Sequence, residues 1–273
     1  MKTAIVGAIT KYTPKDIKPW VESINQCGFK GGRVMLVYRV PQETIDYLKS
    51  EGFQVFGGSN LDMNVGYRPI VVKRFIDLYS LFNMETFEYD RAIVTDVKDV
   101  IFQSNPSEWL NKNQTRKIVI GSESIKIKDM EWSARNYSAS YPIEYPRIQN
   151  EVSHCAGVIG GNVKALTDFF LAIYRWSLNG ANYNEPPDQA ALNVLINLDF
   201  YKDQIQKVTH SDGWVTHLGV SLDNPEGFGP YLTDSVPQIQ EGVVVNSNKE
   251  PFVIVHQYDR ISSLNDKILN QYK

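Results

Sequence analysis

The chain has 273 residues, of which 22% are charged and 42% hydrophobic, the usage of an ordinary globular protein. That balance excludes a collagen, a coiled coil and an intrinsically disordered chain. Lys and Arg number 28 against 31 Asp and Glu, a net charge of −3, so the basic excess of a nucleic-acid binder is missing. Cys27 and Cys155 are the two cysteines. They exclude a disulfide framework and fit a reducing compartment. No apolar run is long enough for a transmembrane segment. The opening stretch Met1 to Lys11 reads as a buried strand, because Lys11 and Pro14 cut it short as a signal sequence. A cytoplasmic protein is expected.

In chain order, Ala4–Thr10 reads as a strand and Lys15–Cys27 as a helix with Ile17, Trp20, Val21 and Ile24 on one side. Val34–Tyr38 is an apolar run of strand length. Pro41 opens a second helix through Ile45 and Leu48, which Gly52 ends, and Phe53–Phe56 is a short strand. From Pro69 to Phe82, the spacing Val71, Phe75, Leu78, Phe82 gives one helical stripe. Arg91–Thr95 is the next strand, followed at once by Asp96. This alternation predicts an α/β protein with a mainly parallel sheet covered by helices. The second half carries strands at Ile118–Ile120, Val158–Ile159, Val243–Val245 and Phe252–Val255 between longer irregular stretches. It also carries two helices, one with Val163, Leu166, Phe170 and Ile173, the other from about Asp188 to Leu198. One continuous unit over 1–273 is expected, with a nucleotide-binding half (1–103) and an acceptor and sugar half (104–273). Ligands of open α/β sheets sit beyond the carboxyl ends of strands, so residues just after strands are the ones that matter.

The most informative segment is Thr95-Asp96-Val97-Lys98-Asp99-Val100-Ile101-Phe102-Gln103. A buried strand ends in two carboxylates. Such a pair can chelate a hard divalent cation, or can simply cap a turn and form surface ion pairs. His256 ends a late apolar strand, where its imidazole could complete an oxygen-rich metal site or serve as a hydrogen-bonded core histidine. Asp188, after two prolines, suits a helix N-cap. Arg68, Lys73 and Arg74 precede the acidic strand and could equally form a solvated helix face.

The Asp96–Gln103 segment resembles the Asp-x-Asp region of GT-A glycosyltransferases. Ser153–Asn162, Pro187–Asn193 and Val253–Asp259 are similar, in order, to later motifs of retaining members such as the glycogenin-like and blood-group A/B transferase-like families. The resemblance implies a Rossmann-like GT-A fold and a nucleoside-diphosphate sugar donor, UDP-hexose favoured. It implies Mn²⁺ or Mg²⁺ held by Asp96, Asp99 and His256, and transfer to a glycan or other hydroxyl acceptor. Asp188 and Gln189 would then hold the sugar, and retention of configuration is expected. Thr10, Tyr12, Arg68, Lys73, Arg74, Asp96, Lys98 and Gly160 would meet the donor. Glu123 would be an acceptor base or hydroxyl ligand, and Glu151 a second candidate for an inverting enzyme. The family pattern puts its acids two apart, whereas here Lys98 stands at the second acid position. Either Asp99 takes the metal role in a shifted turn, or Lys98 partly replaces the cation.

Two other readings stay open. One is a nucleotidyltransferase or sugar-phosphate phosphatase using the same acids, although the first strand ends Ala8-Ile9-Thr10 without the acid a phosphatase places there. The other is an inactive glycan-binding protein of the same fold. Phosphate-loop, dinucleotide, zinc-protease and hydrolase motifs are absent.

Overall fold

The computed structural model describes residues 1–58, 70–181, 185–197 and 199–272. The first half contains β1 (Thr3–Thr10), α1 (Pro14–Gln26), β2 (Gly32–Tyr38), α2 (Gln42–Ser50), β3 (Gln54–Gly57), α3 (Ile70–Phe82), β4 (Arg91–Thr95) and β5 (Val100–Phe102). Next come α4 (Pro106–Asn113), β6 (Ile118–Lys126), α5 (Glu131–Ser140), α6 (Tyr145–Ile148), β7 (Val152–Asn162), α7 (Val163–Asn179) and α8 (Asp188–Ile196). The remaining strands are β8 (Ile205–Val208), β9 (Val215–His217), β10 (Gln238–Gln240), β11 (Val243–Val245) and β12 (Ile254–His256), and a C-terminal helix spans Ser262–Gln271.

Seven strands form one sheet in the order β3-β2-β1-β4-β7-β6-β8. The strands β3, β2, β1 and β4 run parallel, β7 is antiparallel to both β4 and β6, and β8 is parallel to β6. This is the mixed, mainly parallel sheet that the strand–helix alternation predicts. A second sheet, β5-β12-β9, stands beside it, and β10 pairs with β11 as a separate hairpin.

Side-chain alternation along β1 explains why the sheet is covered on both faces. Ala4 and Val6 enter the core under α3, α7 and α8, with Val34, Leu36, Phe75 and Phe170. Ile5 and Ile9 point the other way, to Trp20 and Ile24 of α1. Local signals start the helices, including α4, which is not among the helices expected from the sequence. Thr13 and Asp16 form a capping box ahead of α1, and Asn105 caps α4 by accepting from the Ser107 amide. A third cluster joins Ile101, Val255 and Leu264 beneath the C-terminal helix.

Three expected elements differ in register or extent. In α3 the buried stripe starts at Val72, not Val71, and also takes in Lys73, Arg74 and Asp77. The solvated-face reading of that helix is therefore corrected. The strands expected at Ile118–Ile120 and Val158–Ile159 are the middles of the longer β6 and β7. Their polar ends, Ser122–Ser124 and Ser153–His154, are buried, which hides a strand from hydropathy alone. Leu198, the expected end of α8, and Arg68 lie outside the described residues.

The small sheet meets the large one through the Asp96–Asp99 turn. The Asp96 amide donates to the Gly157 carbonyl (2.8 Å), and the Gln257 amide donates to the Asp99 carbonyl (2.7 Å). One acid is thus fixed by β4 and β7, the other by β5 and β12. The helix α3 that reaches this turn is seated by aromatic packing. The Phe170 ring is fully buried, 5.5 Å from that of Phe75 and 5.8 Å from that of Phe82. Phe170→Ala is expected to cost ~3–5 kcal/mol, as large-to-small core changes do. Urea unfolding checks this, and a loss under ~1 kcal/mol would show that α3 is held by other contacts.

Candidate active site

The carboxyl ends of β1, β2 and β4 point to one edge of the sheet, and the candidate residues gather there. Asp96 follows β4, Asp99 precedes β5 and His256 ends β12. The His256 Nε2 lies 3.5 Å from Asp96 Oδ2 and 3.5 Å from Asp99 Oδ2. Asp99 thus faces His256 together with Asp96. Lys98 is exposed, and its carbonyl accepts from the Tyr258 hydroxyl (3.0 Å).

Two carboxylate oxygens and an imidazole nitrogen suit Mn²⁺ or Mg²⁺, which accept oxygen-rich sets and keep other positions for water or phosphate. Donors bound side by side at ~2.1 Å stand about 3.0 Å apart, so a small inward movement would complete the set. Gly157 of β7 keeps the space open. A Cβ there would stand 2.4 Å from His256 Cε1 and 2.9 Å from Asp96 Oδ2. Gly160 lies elsewhere on the strand, where a Cβ would face the Trp214 ring at 3.3 Å.

The opposite nitrogen of His256 is also occupied. His256 Nδ1 is 2.8 Å from His217 Nδ1 and 3.7 Å from Cys155 Sγ. Two nitrogens on one tetrahedral ion at ~2.0–2.1 Å would stand about 3.3 Å apart, so the His217 contact is a hydrogen bond rather than a second metal site. Burial pushes the His217 imidazole well below its usual range, so it is neutral. The contact holds the His256 ring with Nε2 toward the two acids. His217 and His256 are register partners on parallel strands, a relation that sequence alone does not show.

Behind the acids lies the Arg74 guanidinium of α3. It is ion-paired with Asp96 Oδ1, donates to the Ala156 carbonyl (3.2 Å) and lies 3.8 Å from Asp188 Oδ2. Burial opposes ionisation of Asp96, but Arg74 and His256 together outweigh it and hold the carboxyl well below its usual range. Asp188 shows the reverse balance. Burial raises it to about 6, only partly offset by Arg74. The N-cap of α8 is Pro187, and Asp188 stands in the first helical turn, where its carboxyl accepts from the backbone amides of Asp188 and Gln189 and also approaches Arg74.

Gln189 donates through Nε2 to Glu123 Oε2 (3.0 Å), and the Ser153 hydroxyl donates to the same oxygen (2.6 Å). Burial raises the Glu123 carboxyl above its usual range, against both hydrogen bonds. Glu123 is 2% exposed, enclosed between β6, β7 and α8. Glu151 is exposed on the surface. Lys73 is buried over the Tyr38 ring, with its ammonium 2.8 Å from Asp77. Thr10 and Tyr12 lie at the end of β1, where Lys11 takes a left-handed φ of 58°. The Tyr12 phenol is pushed up by burial and by the charges of Asp99 and Asp96.

No family model matches the chain, and no curated protein matches its sequence. Its fold is similar to that of the galactosyltransferase LgtC, solved in complex with donor and acceptor sugar analogues. The TM-score is 0.60 at 11% identity, covering 98% of this chain and 95% of that one. The chain has the GT-A glycosyltransferase fold. No described helix is long and apolar enough to cross a membrane.

The raised Asp188 carboxyl has a stability consequence of definite sign. A carboxyl that titrates near 6 in the fold and near 3.8 outside it binds extra protons only in the folded chain between those values. Its contribution is fully present below about pH 3.8 and lost as pH rises through about 6, on the order of 3 kcal/mol. Asp188→Asn removes this dependence. The variant's melting temperature relative to wild type should therefore rise between pH 4 and pH 7, measured without added metal or nucleotide. A constant or falling difference would mean that Arg74 keeps Asp188 ionised throughout.

Proposed function

We propose that this protein is a GT-A glycosyltransferase that moves a hexose from a nucleoside-diphosphate donor, UDP-hexose favoured, to a glycan or small-molecule hydroxyl, with metal assistance and retention of configuration. The observation that carries the reading is the convergence of Asp96, Asp99 and His256 around the space left by Gly157. Asp96 and Asp188 face the Arg74 guanidinium, and Asp96 and Asp99 both face the His256 imidazole, so three carboxylates gather where a divalent cation would be favoured.

In this reading Asp96, Asp99 and His256 hold Mn²⁺ or Mg²⁺, and the ion when bound supplies neutralisation of the charge that develops on the departing diphosphate. Arg74 keeps Asp96 ionised and turns its Oδ2 toward His256. Tyr12 packs beside the bound nucleotide at the end of β1. Asp188 and Gln189 face the sugar, where a carboxylate stabilises positive charge developing at the anomeric carbon. The burial of Glu123 favours retention, because an inverting enzyme's base must touch the acceptor hydroxyl. Lys73, Lys98 and Gly160 make no described contact that supports a donor role for them, and Arg68 lies outside the described residues.

Two outcomes are expected. UDP should raise the melting temperature more with Mn²⁺ than with EDTA, because two acids repel a diphosphate unless a cation lies between them. Equal shifts would transfer the phosphate contact to basic side chains. Asp188→Asn should lower kcat at least ~tenfold, ~1.4 kcal/mol of transition-state stabilisation, with calorimetric UDP affinity nearly unchanged. An unchanged kcat would leave the sugar to other residues, and a lost UDP affinity would move Asp188 to the metal side.

A further inference from the structure

We infer that Glu123 is a positioning residue, which fixes the side-chain amide of Gln189 so that its carbonyl oxygen, not its NH₂ group, is the end presented to the donor sugar. The inference rests on the proposed reading of Gln189 as a sugar contact and adds how that contact acquires its polarity.

A glutamine amide has two orientations of nearly the same shape and opposite chemistry, one presenting two donors and the other an acceptor. Glu123 selects between them. The Gln189 Nε2 and the Ser153 Oγ converge on the same atom, Glu123 Oε2, at 3.0 and 2.6 Å. That atom must accept from both, so the Gln189 NH₂ faces inward and Oε1 is turned away from Glu123. The selection does not depend on whether the other carboxyl oxygen carries a proton.

The rest of the network repeats the same direction. With its proton spent on Glu123, Ser153 must accept from the Tyr137 hydroxyl 3.3 Å away. Asn193 Nδ2 stands 2.9 Å from the Tyr137 oxygen and 2.8 Å from the carbonyls of His154 and Gln189, its two hydrogens shared among the three acceptors. Each of these residues is buried, and Gln189 alone is partly exposed. The chain of donors therefore ends on Glu123, and its one outlet toward solvent is the Gln189 amide. The backbone is shaped for this. The β6–β7 pairing shifts register between Ile120 and Ser122 and again before Lys126, and Ser124 takes a left-handed φ of 55°. Bulges of this kind re-aim side chains next to sites. Here the irregularity accompanies Glu123 turned toward α8.

An acceptor oxygen suits a sugar in two ways, taking a hydrogen bond from a hydroxyl and placing the negative end of a dipole near developing positive charge. An inverted amide would present N–H donors to that charge instead.

Two measurements test the inference. In the ¹⁵N-correlated spectrum of the wild-type protein, the Gln189 side-chain NH₂, assigned by its loss in Gln189→Ala, should be shifted and protected from solvent exchange. It should move toward free-amide values in Glu123→Met, which has no acceptor, and stay near the wild-type values in Glu123→Gln, whose amide carbonyl can still accept from both donors. Ordinary shifts and free exchange in the wild type overturn the proposal without reference to any activity. In donor-turnover assays, Glu123→Met should lower kcat at least ~tenfold while UDP affinity changes less than ~twofold, and should add less than ~twofold in a Gln189→Ala background, with Glu123→Gln restoring most of the loss. Additive losses, or wild-type kcat in Glu123→Met, overturn it. Wild-type turnover in Gln189→Ala overturns the sugar-contact reading instead, and the amide spectrum alone then decides whether Glu123 fixes the side chain.

Discussion

The candidate site depends on one buried guanidinium. Arg74 joins α3 to the Asp96 turn, to the Ala156 carbonyl on β7 and to Asp188 at the start of α8. Burying a charge is costly unless paired and hydrogen-bonded, and removing one partner leaves the other uncompensated. The pairing of Arg74 with Asp96 Oδ1 also divides that carboxylate. One oxygen is committed to the protein, and the other, Oδ2, faces His256. The same cation helps to explain why Asp96 and Asp188 titrate in opposite directions. Asp96, half-buried, is in contact with both Arg74 and His256, whereas Asp188, buried, lies 3.8 Å from Arg74 and its burial dominates.

The second constraint is the junction between two sheets. A turn with acids two apart would put residue 98 in the site, and Lys98 occupies that position. With three residues between β4 and the second acid, Asp99 arrives at the start of β5, where the pairing of Val100 with His256 fixes its distance from the imidazole. The spacing that departs from the family pattern is thus matched to a short strand belonging to a different sheet. His217 extends the arrangement one strand further by orienting His256 from behind.

These relations mark what the sequence makes legible. The parallel part of the sheet is readable because its strands are continuous apolar runs, and α1 because Ile17, Trp20, Val21 and Ile24 repeat on one face. Asp96, Asp99 and His256 are readable as residues following or ending strands, a position that depends on chain order. The remaining parts depend on contacts across the fold. Lys73, Arg74 and Asp77 look like a polar helix face, and only the packing of α3 against the turn buries them. Glu123 looks like a residue past the end of a short strand, but β6 continues through it with its polar residues inside. Gly157 and Gly160 are indistinguishable in the sequence. Strand register aims one at His256 and the other at Trp214.

The buried network from Asn193 through Tyr137 and Ser153 to Glu123 poses the remaining physical question, because an apolar filling of the same volume is often as stable or more so. A polar network is tolerated inside only when its members are satisfied, and then it specifies one arrangement where an apolar cluster would admit several. Here every donor in the chain has an acceptor, and the final carboxylate takes two hydrogen bonds on one oxygen. What such a chain secures is therefore direction rather than added stability. It holds Ser153 of β7, Glu123 of β6 and Gln189 of α8 in one polarity, while the Asp96–Asp99 turn is fixed by separate strands. Rigidity of the candidate site follows from two devices that meet at the start of α8, the Arg74 ion pairs from α3 and a hydrogen-bond chain behind the helix.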